Sequence, residues 1–295
     1  VFKIKSINFA YNQFEMALMY FIYRTRVAVM LLVLGWIVAG SASAAQLRSY
    51  TLNGRWEQGS LLIGKTTPDA SVKFNGQLLK LDPQGRFVFG IDRDAAHDAT
   101  LSVQLPGKPA VVERQSVAVR KWSIQRIQGL PPDKVNPPAE VEARIAAEAQ
   151  LIKAAHARDS DLSGFAESFQ WPVRGRVSGI FGSQRILNGV PKQPHFGLDV
   201  AVPTGTRVAA PASGVISLAQ PDLYFTGGTI IVDHGHGVSS VMVHLSKLLV
   251  KVGDSVRAGQ VVAESGMTGR ATGPHLHWGV YWFESHVDPQ RLVPP

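Results

Sequence analysis

The 295-residue chain contains no cysteine, which excludes a disulfide framework, a thiolate metal site and a thiol nucleophile. A metal, if bound, must be held by His, Asp or Glu. Also missing are the helical His-Glu-x-x-His pattern of one large class of zinc peptidases and the Gly-x-Ser-x-Gly elbow of serine hydrolases. No apolar run reaches the roughly 20 residues that span a bilayer as a helix; Val27 to Gly40 extends for about 14. The formal charge is +8, yet no basic tract of the kind that binds nucleic acid accompanies it. Setting aside Lys3, Lys5, Arg24, Arg26 and Glu15 of the first 45 residues leaves 26 basic and 21 acidic residues, a net +5. That scattered excess suits a polyanionic substrate, without specifying one.

What is present falls into four segments. Residues 1–45 read as a targeting segment: Arg24 and Arg26, the apolar run, then Ser41-Ala42-Ser43-Ala44-Ala45 with cleavage expected near Ala44. Membrane contact is expected only if this segment is retained. The first 15 to 18 residues, which start at Val1 and precede Met16 and Met19, read as an over-extended start. Residues 46–126 show short apolar stretches cut by turns. Asn75-Gly76 after Val72-Lys73-Phe74 signals a hairpin, Asp82-Pro83-Gln84-Gly85 leads into the alternation Arg86 to Phe89, and Leu101 to Leu105 is another strand. A small β-sandwich fits this spacing. Residues 127–170 comprise a proline-rich linker around Pro131, Pro132, Pro137 and Pro138 and a helix over 138–158 whose apolar stripe is Val141, Ile145, Ala149 and Ile152. Residues 171–295 lose the helical period. Strands are expected at Val208 to Ile216, Thr229 to Val232, Val238 to Leu245, Val261 to Ala263 and Leu276 to Trp282. The fold class is mainly β.

Candidate chemistry concentrates in the last segment, as His195-x-x-x-Asp199, His244 and His275-Leu276-His277. Two nitrogens and one carboxylate oxygen make a three-ligand zinc set with a coordination position open, the mark of a catalytic rather than structural site. On a strand, His275 and His277 share one face while Leu276 turns to the core. The same alternation puts Met242 and His244 on one side of their strand and Val241, Val243 and Leu245 on the other. His195 and Asp199 would be about 13 Å apart on a straight strand, so a bend or bulge at Gly197 is expected to bring them together. The other histidines read as bland. His234-Gly235-His236 sits in a hairpin loop, His286 is structural, and His97 and His156 are solvated.

Taken in order, Gly179-Ile180-Phe181-Gly182, His195 to Asp199, Val200 to Thr206, Val243-His244-Leu245-Ser246 and Gly273-Pro274-His275-Leu276-His277-Trp278 resemble the lysostaphin-type, or LytM-like, zinc metallopeptidases. The resemblance covers about residues 171–290. It implies the compact β fold called the duplicated hybrid motif, with the site in a groove. It further implies Zn2+ on His195, Asp199 and His277, with His244 and His275 as the two catalytic histidines that are not ligands. Peptidoglycan would be the substrate, in the periplasm or cell envelope, with an envelope regulatory protein as a further partner. Because no motif position is substituted, the resemblance argues against relatives that only activate amidases, although a non-catalytic wall-binding module of the same fold stays a rival. A lipoyl- or biotin-carrier reading, prompted by Val250 to Gln260, lacks the modifiable lysine it needs in Glu264 to Gly269. Gly85 to Gly90 and Ile124 to Pro131 look like segments that precede the peptidase in exported proteobacterial relatives, where they would position the peptidase or cover its groove.

Overall fold

β-Branched and aromatic runs cut by Gly, Asn and Asp give short strands and tight turns, and the computed structural model of the chain, which describes residues 49–295, is mainly β. The expected targeting segment, 1–45, lies outside the described residues. Seven strands come first: β1 (Thr51–Asn53), β2 (Leu61–Lys65), β3 (Ser71–Phe74), β4 (Gln77–Leu79), β5 (Arg86–Gly90), β6 (Asp98–Gln104) and β7 (Val111–Ser116). β1, β2 and β5 make one sheet, and β4, β3, β6 and β7 another. Asn75 and Gly76 both have positive φ, 47° and 82°, as the two-residue hairpin turn between β3 and β4 requires.

Next come β8 (Ile124–Ile127), the short helix α1 (Pro132–Val135), the longer helix α2 (Glu142–His156), β9 (Arg176–Gly179), β10 (Gln184–Leu187) and β11 (Val190–Pro191). β8 pairs in parallel with β10, and Leu130 and Val135 bury themselves against Leu187. The chain from 124 to 135 is thereby strapped to β10. The remainder is β12 (Leu198–Ala201), β13 (Arg207–Ala209), β14 (Gly214–Leu223), β15 (Gly227–Gly235), β16 (Val238–Leu245), β17 (Lys247–Leu248), β18 (Ser255–Val256), β19 (Val261–Glu264), β20 (His275–Trp282) and β21 (Ser285–Val287). The main sheet runs β18-β14-β15-β16-β20-β12-β9, with β21 on β20, and β13, β19 and β17 form a smaller sheet. The single strand expected over Val208 to Ile216 is two strands, β13 and β14. Pro211 lies in the gap, where it cannot donate to a ladder.

α2 corrects the sequence reading in two respects. Ala149 is exposed, and the covered side instead takes Ile145, Glu148, Ile152, Ala155 and His156. Glu148 serves there because its Oε2 accepts the Tyr224 N–H at 2.7 Å. His156, expected to be solvated, is buried. Its Nδ1 lies 2.7 Å from Ser239 Oγ, its ring stacks on Tyr281 at 4.1 Å, and burial pushes its pKa down to about 3. The reason is that α2 lies on the main sheet, where Ile152 and Ala155 meet Leu218, Ile231, Val241 and Val243. None of the helices among the described residues is long and apolar enough to cross a membrane.

One cluster of buried apolar side chains extends from Leu62, Phe74, Phe87 and Phe89 through to Trp278, Trp282 and Val287. Phe74 stacks on Phe89 at 4.3 Å and meets the edge of Trp282 at 6.1 Å. Polar contacts line the same junction: ion pairs of Arg120 with Asp288 at 2.8 Å and of Arg291 with Glu57 at 2.8 Å, and a 2.9 Å hydrogen bond between His286 Nδ1 and Asp92 Oδ2.

Candidate metal centre

The bend expected at Gly197 is present. It directs His195, just before β12, and Asp199, on β12, to a common point, and β20 delivers His277 opposite Asp199 in register. His195 Nε2 lies 3.0 Å from Asp199 Oδ1, His277 Nδ1 lies 2.8 Å from the same oxygen, and the two nitrogens are 2.9 Å apart. Two glycines make the convergence possible. A Cβ on Gly179 would overlap Asp199 Oδ2, and one on Gly197 would stand 2.6 Å from His277 Cε1 and Nε2.

Hydrogen bonding decides which nitrogen is available. A carbonyl oxygen can only accept, so the contact of His195 Nδ1 with Ile180 O, 3.1 Å, requires the proton on Nδ1. Burial pushes the pKa of His195 down to about 4, against the pull of Asp199. The ring is therefore neutral at neutral pH, and its Nε2 lone pair faces a carboxylate oxygen with no proton between them. Such a pair repels unless a cation sits there. Four-coordinate zinc with bonds of about 2.0–2.1 Å needs ligand atoms about 3.3 Å apart, within a few tenths of an ångström of the observed spacing. These three residues among the described ones can therefore hold a metal ion. Asp199 Oδ2 accepts from Arg185 Nη2 at 3.0 Å, which fixes the carboxylate plane as outer partners of metal ligands do. Arg185 itself is half-buried; desolvation lowers its pKa, while Asp199 raises it.

His275 and His244 stand beside this set. His275 Nε2 is 3.8 Å from Asp199 Oδ1, and the His244 and His275 rings are 4.8 Å apart. The Nδ1 of each lies 2.8 Å from a backbone carbonyl, Thr268 O for His244 and Gly273 O for His275. In a neutral ring held this way, Nε2 is the acceptor. Burial, reinforced by His275 and His277, lowers the His244 pKa to about 3.

His244 also breaks the alternation expected for β16. Its φ is 64°, a left-handed conformation unusual for a non-glycine residue and of the kind that clusters at functional sites. Between the pairs Ile230–Met242 and Gly228–Leu245, β16 carries one residue more than β15. As a result Leu245 joins Met242 in the main core, while Val241 and Val243 remain under α2. The expectation that Leu245 would face with Val241 and Val243 fails because the bulge at His244 shifts the parity.

All five residues singled out from the sequence thus come together. The other histidine pair does not. His234, expected in a loop, lies within β15, one residue before its end, buried between Ser213 O at 2.9 Å and Ser240 Oγ at 2.8 Å. His236 has φ 53° in the turn after it and reaches Lys80 O at 3.2 Å. His286 contacts Asp92 and stacks on Phe196 at 3.6 Å. Arg185 and the carbonyls of Ile180, Thr268 and Gly273 were not foreseen. Backbone oxygens carry no side-chain signal, and nothing in sequence spacing links Arg185 to Asp199.

The profile of Peptidase family M23 matches residues 193–289. A crystal structure from Pseudomonas aeruginosa assigned to peptidase M23 aligns with 81% of this chain and 95% of that one, at 30% identity and a TM-score of 0.61. The peptidoglycan DD-endopeptidase ShyA of Vibrio cholerae is 39% identical over 125 residues, which are 41% of this chain and 29% of ShyA. An uncharacterized metalloprotease of Haemophilus influenzae is 35% identical over 132 residues, 45% of this chain and 24% of that protein. The aligned stretch is less than a third of either curated relative.

Proposed function

We propose that this chain, which belongs to peptidase family M23, is a zinc-dependent endopeptidase that hydrolyses peptide crosslinks of bacterial peptidoglycan in the cell envelope. The observation that carries the proposal is the approach of His195 Nε2, Asp199 Oδ1 and His277 Nδ1 to within 3.0 Å of one another, at a cleft lined by Asp199, His244 and His275.

In this reading His195, Asp199 and His277 hold Zn2+, which when bound supplies a Lewis acid for the scissile carbonyl and brings the pKa of a coordinated water to about 7. Arg185 keeps the Asp199 carboxylate aimed. His244 and His275 handle protons. With their Nδ1–H groups committed to Thr268 O and Gly273 O, each offers an Nε2 lone pair, the form a general base needs. One ring accepts the proton of the attacking water and returns it to the leaving amine. Once protonated at Nε2, a ring is also a donor for the tetrahedral oxyanion. The substrate assignment draws on the likeness to ShyA, and the bond expected to break is the D,D-crosslink between D-alanine and diaminopimelate.

The test is incubation of the full chain with purified sacculi, followed by mass spectrometry of released fragments. New amino termini at crosslinks are expected, abolished by a chelator and restored by Zn2+. His277→Ala should lose metal and activity together. A zinc-loaded protein that binds sacculi yet releases no fragment would overturn the proposal in favour of a non-catalytic wall-binding module.

A further inference from the structure

The cleft beside the His–Asp–His set has a volume of about 280 Å³, and its lining includes Arg176, Arg185 and Arg270 together with Asp199, His244 and His275. Three guanidinium groups thus face a single carboxylate among these residues. Arg185 is already committed to Asp199. Arg270 is not committed in this way. It is half-buried, its Cζ packs over the Phe225 ring at 4.5 Å, and its Nη1 reaches only the Lys134 carbonyl, at 3.3 Å. Its backbone is pinned by a 2.8 Å bond from its N–H to Phe225 O, on the loop that leads into His275. No carboxylate pairs with it among the described residues.

Taking a guanidinium out of water without a counter-charge is costly. Burial lowers the pKa of Arg270, and the nearby Arg185 charge lowers it further. A half-buried cation held in place, repelled by a second cation and open to a cleft is a site that an anion completes. Guanidinium favours planar, bidentate carboxylates. Stem peptides offer carboxylates of two kinds, one at a chain terminus and, where the diamino acid is a dicarboxylic one, a second on its side chain.

We propose that Arg270 is a specificity-determining residue that anchors a free carboxylate of the stem peptide, so that the cleft selects crosslinks bearing that charge; this rests on the peptidase reading above. The role is in binding and orientation. Arg270 takes no part in proton transfer, and the effect belongs in KM more than in kcat.

Four synthetic crosslinked peptides test it: both carboxylates free, each amidated in turn, and both amidated. For the wild-type chain, amidation of one particular carboxylate should lower kcat/KM by about 10- to 100-fold, mainly through KM. Arg270→Gln should lower kcat/KM on the free acid by a similar factor and be indifferent to that amidation. Arg270→Lys should recover part of the loss. Zinc content and thermal stability are measured on each variant, so that a folding defect is recognised. A wild type indifferent to both amidations, or an Arg270→Gln variant that still discriminates, would overturn this proposal and leave the peptidase reading intact. Failure of the wild type to cleave any of the four would overturn both.

Discussion

Arg93 donates its Nε–H to the carbonyl oxygen of Gly182 at 2.8 Å, a buried hydrogen bond between residues 89 positions apart. Gly182 in turn donates its N–H to the His195 carbonyl, and His195 donates its N–H to Ser183 O, both at 2.8 Å. The Trp122 ring occupies the space that a Cβ on Gly182 would need, and the Arg93 guanidinium lies over that ring at 5.0 Å. The loop that aims His195 is therefore held from behind by residues that precede β9 by many positions.

Arg93→Ala leaves the Gly182 carbonyl unpaired and frees this loop. Zinc affinity is expected to fall about 10-fold, the low end of the effect of removing a direct outer partner of a ligand, because Arg93 acts on His195 only through the Gly182 loop, with partial recovery in Arg93→Lys. Competition with a chromophoric chelator measures it. Unchanged affinity in Arg93→Ala would refute the linkage.

Gly179→Ala and Gly197→Ala each insert a methyl group into the ligand set, against Asp199 Oδ2 and the His277 ring respectively. Both variants are expected to keep their β-sheet circular dichroism, bind less than a tenth of the wild-type zinc and lose activity in proportion. Full zinc occupancy in either would contradict the geometry.

His244→Ala is expected to retain zinc and lose turnover by at least about 100-fold. Because residue 244 has φ 64°, His244→Gly should be more stable than His244→Ala by about 1 kcal/mol, the reverse of the usual order within a strand. Paired denaturant titrations of the two variants decide this.

His156 supplies a pH dependence separate from the metal. Its pKa is about 3 in the fold, against about 6.5 in an unfolded chain. Between those values the unfolded chain binds a proton that the native state refuses, so stability falls as pH drops through the window. At pH 5 the loss relative to pH 7.5 is about 2 kcal/mol. His156→Gln, which can still meet Ser239, should flatten this acid limb in thermal melts from pH 7.5 to 4.5.

Trp282 is 5% exposed, and its Cβ would stand 2.8 Å from a Cβ on Gly90. Since Phe74 also packs on it, Trp282→Ala should cost about 3–5 kcal/mol. The folded chain should melt in one calorimetric transition, because β5 and β20 share a core. Two resolved transitions in the wild type would count against that coupling.

Much of the candidate site was legible because its side chains sit in short local patterns. His275-Leu276-His277 needs only strand alternation to face inward, and the distance along a strand makes a bend at Gly197 necessary. The hairpin at Asn75-Gly76 and the strands from Val238 to Leu245 and from His275 to Trp282 follow from turn chemistry and periodicity. The burial of His156 is hidden in the sequence because the apolar residues of α2 are mostly alanines spread around the helix, so no single stripe marks the side on which His156 lies. The parity of Leu245 is hidden because a left-handed histidine carries no mark in the sequence.

Residue identity and spacing by themselves determined the mainly β character of this chain and the exclusion of thiol chemistry, and offered five candidate residues whose division into ligands and proton carriers came from the family resemblance. These depend on local geometry, repeating every two residues along a strand. Only the tertiary structure decided the tautomers of His195, His244 and His275, the pairing of Arg185 with Asp199, the unpaired charge of Arg270 and the support that Arg93 and Trp122 give to the His195 loop. Those depend on backbone carbonyls and on contacts between distant segments, whose positions are set by packing, which a linear pattern does not encode.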